Sequence, residues 1–290
     1  MRREVDVNNM MLDQKVLKYK GQIVFERIVM SSFERMPKLY EDNEACFMFI
    51  NGGEFSVRTP DDFVSFKKGK GLLAKCFDYF FETNKDQRIT SDKIDVLGVL
   101  IHQSIVEELF QFDVSVSTHI VDYNLKQIQI DGLLNNFKDS VNILLDNPEL
   151  ADEQMIKTKL KEFVLLISKT MNAPSQLDFL SAMFKKNSTE FRTAINNNIY
   201  SSLSIDEFAH LCGMSVSSFK RKFNNTYNES PKKYISKMKL EKASKMLVLD
   251  NARISDVAYD CGFETISTFN RSFKTHFGIS PSGYRLNQTA

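Results

Sequence analysis

Cysteine and histidine are both scarce in this chain. Cys46, Cys76, Cys212 and Cys261 lie far apart and form no C-x-x-C pair, which leaves little support for a zinc knuckle or a redox couple. They read as buried thiols. His102, His119, His210 and His276 are isolated, and residues 1–100 contain none. A histidine cluster that could hold a catalytic metal is therefore not expected, and no cofactor is implied. Long apolar runs are missing too. No stretch approaches the roughly 20 residues that cross a bilayer, and the start, Met1-Arg2-Arg3-Glu4-Val5-Asp6, lacks the apolar run that follows the charges of a secretion signal. These absences predict a cytoplasmic chain with no membrane partner.

At 290 residues, 42% of them hydrophobic, the chain has the length for about two domains, each with its own core. Its net charge of +1 hides a division. Residues 184–290 hold 16 Lys and Arg against 9 Asp and Glu, a net +7, while residues 1–183 hold 22 against 28, a net −6. A basic half suits a polyanion, because each neutralised phosphate releases condensed counterions; an acidic half is repelled by the same surface. Charge alone leaves open whether the basic surface only keeps a domain soluble.

The basic half contains an internal repeat. Ile205, Ala209, Cys212 and Gly213 recur as Ile254, Ala258, Cys261 and Gly262, and after a one-residue insertion Phe219, Arg221, Phe223, Ser230, Pro231 and Tyr234 recur as Phe269, Arg271, Phe273, Ser280, Pro281 and Tyr284. One supersecondary unit is used twice. Its pattern predicts helix, tight turn, helix. Ile205, Phe208, Ala209 and Cys212, and likewise Ile254, Val257, Ala258 and Cys261, form one apolar stripe per copy, and Gly213 and Gly262 follow where positive φ ends a helix. Ser204 with Glu207 makes a capping box, with Leu203 and Phe208 as its hydrophobic staple. Ser215 and Thr265 stand as N-caps of the second helices. Within these helices Phe219 and Phe223, and Phe269, Phe273 and Phe277, are spaced by four and face the core.

Burial of the phenylalanines dictates what points outward. Ser217, Lys220, Arg221 and Asn224 project from the first copy, and Ser267, Asn270, Arg271 and Lys274 from the second, with apolar Ile266 beside them. Arg can pair bidentately with guanine and Asn with adenine, Ser is adaptable, and Ile266 can meet a thymine methyl. A merely solvated face also carries Lys and Arg, but it usually mixes in Glu; neither set contains an acid. These nine residues are the expected contacts to double-stranded DNA. Between the copies, Pro231 to Asp250 reads as a helix with Lys232, Lys233, Lys237, Lys239, Lys242 and Lys245 on its outside. About 18 helical residues span roughly 27 Å, which can hold two recognition helices near the ~34 Å separation of successive major-groove entries.

The run from Ile254 to Arg285, Ile-Ser-Asp-Val-Ala-Tyr-Asp-Cys-Gly-Phe through Thr-Phe-Asn-Arg-Ser-Phe-Lys to Gly-Ile-Ser-Pro-Ser-Gly-Tyr-Arg, resembles the signature of the arabinose-operon regulator (AraC) family, and the resemblance covers Ser188 to Arg285. It implies a transcription regulator in which the second helix of each unit enters the major groove.

In the acidic half, short β-like runs at Val16–Tyr19, Gln22–Met30, Ala45–Ile50, Phe55–Arg58, Phe63–Phe66 and Leu72–Phe77 are separated by turn residues, the pattern of a small sandwich or barrel. The Asn51-Gly52-Gly53-Glu54-Phe55 and Lys67-Lys68-Gly69-Lys70-Gly71 turns resemble those of cupin-like barrels in the same family. Leu125 to Leu145, Glu153 to Met171 and Gln176 to Phe184 read as helices, with a hinge near Lys185 to Ser188. The stripe Leu160, Phe163, Val164 and Ile167 either packs on its own barrel or pairs with a second subunit. The expected architecture is thus α+β: residues 1–184 as a cupin-like β-barrel with dimerisation helices, and residues 185–290 as an all-α domain of two tandem helix-turn-helix units. The whole-chain layout is similar to the exoenzyme S regulator branch, which activates type III secretion. Members of that branch answer to partner proteins and others in the wider family bind small ligands, so the similarity implies a protein or small-molecule effector on the N-terminal domain. A homodimer, formed through the stripe, and contact with RNA polymerase are the other expected partners. The rival function is a DNA-repair alkyl-transfer enzyme carrying the same helical unit, which needs an activated cysteine.

Overall fold

Why the N-terminal strands form a layered structure is visible in strand β4, Glu44–Gly52, where seven consecutive residues are buried. Its side chains alternate between two different cores. Phe47 and Phe49 point into a cluster shared with helices, while Cys46, Met48 and Ile50 point into a second cluster shared with another sheet. In the computed structural model, residues 10–38, 44–83, 93–114, 117, 119–185, 190–249 and 252–289 are described. The chain divides into two compact units, residues 1–59 with 63–188 and residues 60–62 with 189–290.

In the first unit β1 (Met11–Tyr19), β2 (Gln22–Met30), β9 (Ile94–His102), β4, β7 (Lys70–Ala74) and β10 (Leu125–Gln129) join in that order into a six-stranded sheet. A four-stranded sheet runs β3 (Arg35–Pro37), β8 (Phe80–Glu82), β5 (Glu54–Arg58), β6 (Phe63–Lys67). All the pairings are antiparallel. The sheets share a core of Ile28, Met48, Phe55, Phe66, Leu72, Phe81 and Leu100, among others. Within it lies an apolar cavity of about 30 Å3 bounded by Ile28, Met30, Met48, Phe55, Phe81 and Val96. The larger sheet's other face is covered by helices α1 (Gln103–Phe110), α2 (Gly132–Asp146), α3 (Glu153–Thr170) and α4 (Gln176–Phe184). Asp131, Asp152 and Ser175 cap α2, α3 and α4 by accepting from the backbone N–H of Leu134, Met155 and Asp178.

The structure departs from two expectations in this unit and decides between the two readings of the stripe. Leu125–Gln129 is not the start of a helix but an edge strand paired with β7, from Leu125 opposite Ala74 to Gln129 opposite Lys70; Leu125 and Ile128 sit three apart, which mimics a helical step. Strands β3, β8 and β9 and helix α1 had no counterpart in the sequence analysis. The stripe Leu160, Phe163, Val164 and Ile167 is fully buried within the unit's own core, with the Phe163 ring 5.3 Å from Phe47 and 5.5 Å from Phe137. No seam for a second subunit can use those side chains. Of the expected hinge, all but Lys185 lies outside the described residues.

The second unit is helical: α5 (Phe191–Asn198), α6 (Ile205–Leu211), α7 (Val216–Tyr227), α8 (Pro231–Leu249), α9 (Ile254–Asp260), α10 (Ile266–Phe277) and α11 (Pro281–Thr289). Helix α5 was not foreseen. Its Phe191 packs on Phe219 and Phe223, so it closes the core of the first copy as α8 closes that of the second through Leu240, Ala243 and Leu247. One lysine lies elsewhere than expected: Lys239 is not on the outside of α8 but 8% exposed.

Candidate nucleic-acid interface

Each copy builds its outward helix in the same way. Ser204 and Glu207 form the full capping box that starts α6, and Leu203 and Phe208 are both buried beside it. At the far end Gly213 takes φ +61; its N–H donates to His210 O and that of Met214 to Ala209 O, at 2.8 and 2.9 Å. This paired return satisfies carbonyls that the helix end would otherwise leave bare. The second copy repeats it with Gly262 at φ +76 and bonds from Gly262 to Tyr259 O and from Phe263 to Ala258 O. Helices α7 and α10 then start on Ser215 and Thr265, whose hydroxyls accept from the N–H of Ser218 and Thr268. The inserted residue of the second copy falls in the turn: two steps separate Gly213 from Ser215, and three separate Gly262 from Thr265. From the caps onward the two helices run in register for 12 residues each.

Phe219 and Phe223 in α7, and Phe269 and Phe273 in α10, are completely buried, ringed by Phe208, Tyr227 and Tyr234 in one copy and by Phe263, Phe277 and Tyr284 in the other. All nine residues expected to face outward do so: Ser217, Lys220, Arg221 and Asn224 on α7, and Ile266, Ser267, Asn270, Arg271 and Lys274 on α10, are exposed. Neither helix contains an Asp or Glu anywhere in its length. Among the described residues, Lys220, Arg221, Arg271 and Lys274 make no ion pair, so their charge is available to a ligand.

Sequence reasoning missed a groove of about 550 Å3 between the N-terminal half of α8 and α10. Lys232, Lys233 and Lys237 line one wall, Arg271 and His276 the other, with Glu229 at the α7–α8 turn. Glu229 is 3.0 Å from Lys233. Arg271 therefore borders both the outward face of α10 and a cationic trough. The spacing of the lysines on α8 was visible in the sequence, but which helix they would meet was not.

Three of the four thiols lack the activation that alkyl transfer needs. Cys46 is buried, and desolvation pushes its pKa up to about 12 despite a hydrogen bond with Tyr79. Burial also raises Cys212 and Cys261 to about 11. None of these three is poised as a thiolate. Cys212 departs slightly from expectation, half-buried at the C-cap of α6 rather than sealed on its stripe. His102, buried, contacts Glu44 and the carbonyl of Ile23 at 2.8 and 2.6 Å and is bound into the sheet.

Residues 208–287, which contain both α7 and α10, match the helix-turn-helix domain family, and residues 45–179 match the ExsA N-terminal regulatory domain. The HTH-type transcriptional activator AarP of Providencia stuartii is 31% identical over 101 residues, 35% of this chain and 75% of AarP. The chain belongs to the AraC family of transcription regulators. Two further AraC-type relatives extend the match. The virulence regulon transcriptional activator VirF of Yersinia enterocolitica is 27% identical over 144 residues, 49% of this chain and 53% of VirF. The HTH-type transcriptional regulator ExsA of Pseudomonas aeruginosa is 24% identical over 127 residues, 44% of this chain and 46% of ExsA. The chain spans about half the length of these two curated relatives. Among the described residues no helix is long and apolar enough to cross a membrane.

Proposed function

We propose that the protein is a cytoplasmic, sequence-specific transcription activator that lays α7 and α10 in successive major grooves of duplex DNA. The observation that carries this reading is the pair of equivalent, acid-free helices whose apolar sides are buried and whose polar sides are exposed. In this arrangement Arg221 and Arg271 read guanine, Asn224 and Asn270 read adenine, Ser217 and Ser267 adapt to either, and Ile266 covers a thymine methyl. Lys220 and Lys274 neutralise phosphates, and the trough beside Arg271 takes the backbone between the two grooves. Activation is favoured by the likeness to the transcriptional activators AarP and VirF, and contact with RNA polymerase is part of the same proposal.

Residues 1–184 serve as the regulatory and dimerisation domain. With the α3 stripe committed to the core, self-association uses exposed apolar side chains instead, chiefly Leu133 and Ile143 on α2 and Leu150 beyond it, which are 64%, 58% and 58% exposed. The cavity between the sheets has the volume of about one water molecule, too little for an organic effector there, and a partner protein is the effector proposed.

Fluorescence anisotropy of the full chain on labelled duplex, titrated with salt, tests the reading. Binding should weaken linearly in log–log form, and Lys232→Ala with Lys237→Ala should lower the slope by about 1 per lysine. Absence of binding at low salt, or binding unaffected by salt, overturns it.

A further inference from the structure

Lysine is almost never fully buried unless its ammonium is satisfied. Lys239 is only 8% exposed, and its Nζ donates to two carbonyls, Ser201 O at 2.6 Å and Gly262 O at 2.9 Å. The acceptors belong to different copies. Ser201 lies between α5 and α6 of the first, Gly262 in the turn between α9 and α10 of the second. The two turns also touch directly: a Cβ on Gly262 would come within 2.3 Å of Tyr200 O and 2.5 Å of Ser201 O. Beside them Lys242 donates to Asp260 O at 2.9 Å and lies 4.5 Å over the Tyr200 ring.

From this geometry we infer that Lys239 is the positioning residue that locks the register of the two helix-turn-helix units and so sets which spacing of DNA half-sites the protein accepts. The inference rests on the DNA reading above. A compact ammonium on a long apolar stem can reach a buried seam and bond several carbonyls at once. An apolar side chain of the same length would fill the space equally well but would leave the seam free to slide, and a buried polar group is best attested in such registry roles. The contact ties the turn that leads directly into α10 to the connection that leads into α6. A shift there moves one recognition helix relative to the other. On DNA, one base pair displaces a half-site by about 3.4 Å along the axis and roughly 35° around it, so a locked pair rejects such a change and an unlocked pair tolerates it.

The test uses the full chain and two readouts. A duplex is first selected from a random pool with the parent protein, then altered by inserting or deleting one base pair between its two protected tracts. The parent should lose about tenfold or more in affinity on either altered duplex. Lys239→Met should bind the selected duplex more weakly and show less than about a threefold difference across the series. In the second readout, nitroxides on non-cysteine handles at the exposed, equivalent positions Asn225 and Thr275 report the distance between α7 and α10 without DNA. A single narrow distribution in the parent should broaden or shift in Lys239→Met. Unchanged spacing discrimination or an unchanged distribution in the variant overturns the inference, as does loss of helical circular dichroism, which would make Lys239 a support of the fold alone. Failure of the parent to enrich any duplex counts against the DNA reading instead, while the nitroxide distances still decide the role of Lys239.

Discussion

The two helix-turn-helix copies share a grammar and differ in what surrounds them. Capping at the start of the first helix is complete in one, with Ser204 and Glu207, and lacks a side-chain bond in the other, where Arg253 occupies the cap. The helix that closes each core is 8 residues long in the first copy and 19 in the second. Only the longer one extends along its recognition helix to make the cationic trough. Most positions that pack are kept between the copies, whereas the outward faces keep Ser217/Ser267 and Arg221/Arg271 but differ at Lys220/Asn270 and Asn224/Lys274. Core geometry tolerates little change in volume, whereas an exposed face is free to acquire its own specificity.

The strongest way to break the equivalence is to cut into one core at a time. Phe223→Ala and Phe273→Ala should each cost about 3–5 kcal/mol. Hydrogen exchange should place the loosened amides in α6 and α7 for the first variant, and in α9 and α10 for the second. Equal loosening of both copies by either variant would mean that they do not possess separate cores.

A smaller effect separates the two faces. Arg221→Ala and Arg271→Ala should each cost roughly 1–3 kcal/mol on a selected duplex and relax preference at one base position. Because Arg271 also borders the trough, its loss should weaken random duplex as well, while loss of Arg221 should leave random duplex nearly untouched. Binding measured on selected and random duplexes side by side checks this; equal losses on both for Arg221→Ala would make it a phosphate clamp.

Smaller again is the difference in caps. Ser204→Ala should destabilise α6 by about 1 kcal/mol, and Arg253→Ala should change α9 by less than about 0.5 kcal/mol. Both are measurable as local exchange free energies. Smallest is the contrast between the equivalent thiols: with pKa values raised to about 11 by burial, both are protonated below pH 9. Alkylation of half-buried Cys212 should rise about tenfold per pH unit toward 11, while buried Cys261 should stay protected until its copy opens. Rapid labelling of Cys261 in the folded chain would show that the second core is the looser one.

Much of the helical half was legible in advance because its signals are local. A cap, a turn glycine and phenylalanines four apart each act within one or two turns of helix, and the nine outward residues follow from them by geometry. What escaped notice depended on distant partners. Strand β9 is buried on both faces, with Leu97 and Val99 in one core and Val96 and Leu100 in the other, so it shows no alternation. Strand β10 is too short for its pairing with β7 to leave a pattern. Lys239 could have been caught: Ile235, Lys239 and Ala243 are spaced by four along α8, which places the lysine on a buried stripe. Its charge argued the other way, and only the two carbonyls supplied by the neighbouring turns explain why it is inside. The trough likewise joins residues some forty positions apart, beyond any local rule.

The six-stranded sheet, walled by a second sheet on one side and by helices on the other, also governs how the protein comes apart. Backbone amides at the centre of β4 and β9 are sealed from solvent above and below and bonded to strands on both edges. Their hydrogens can reach water only when the whole first unit opens. Within the first unit a protease therefore meets this region last, reaching the sheet's centre through opening of the whole unit rather than through local breathing.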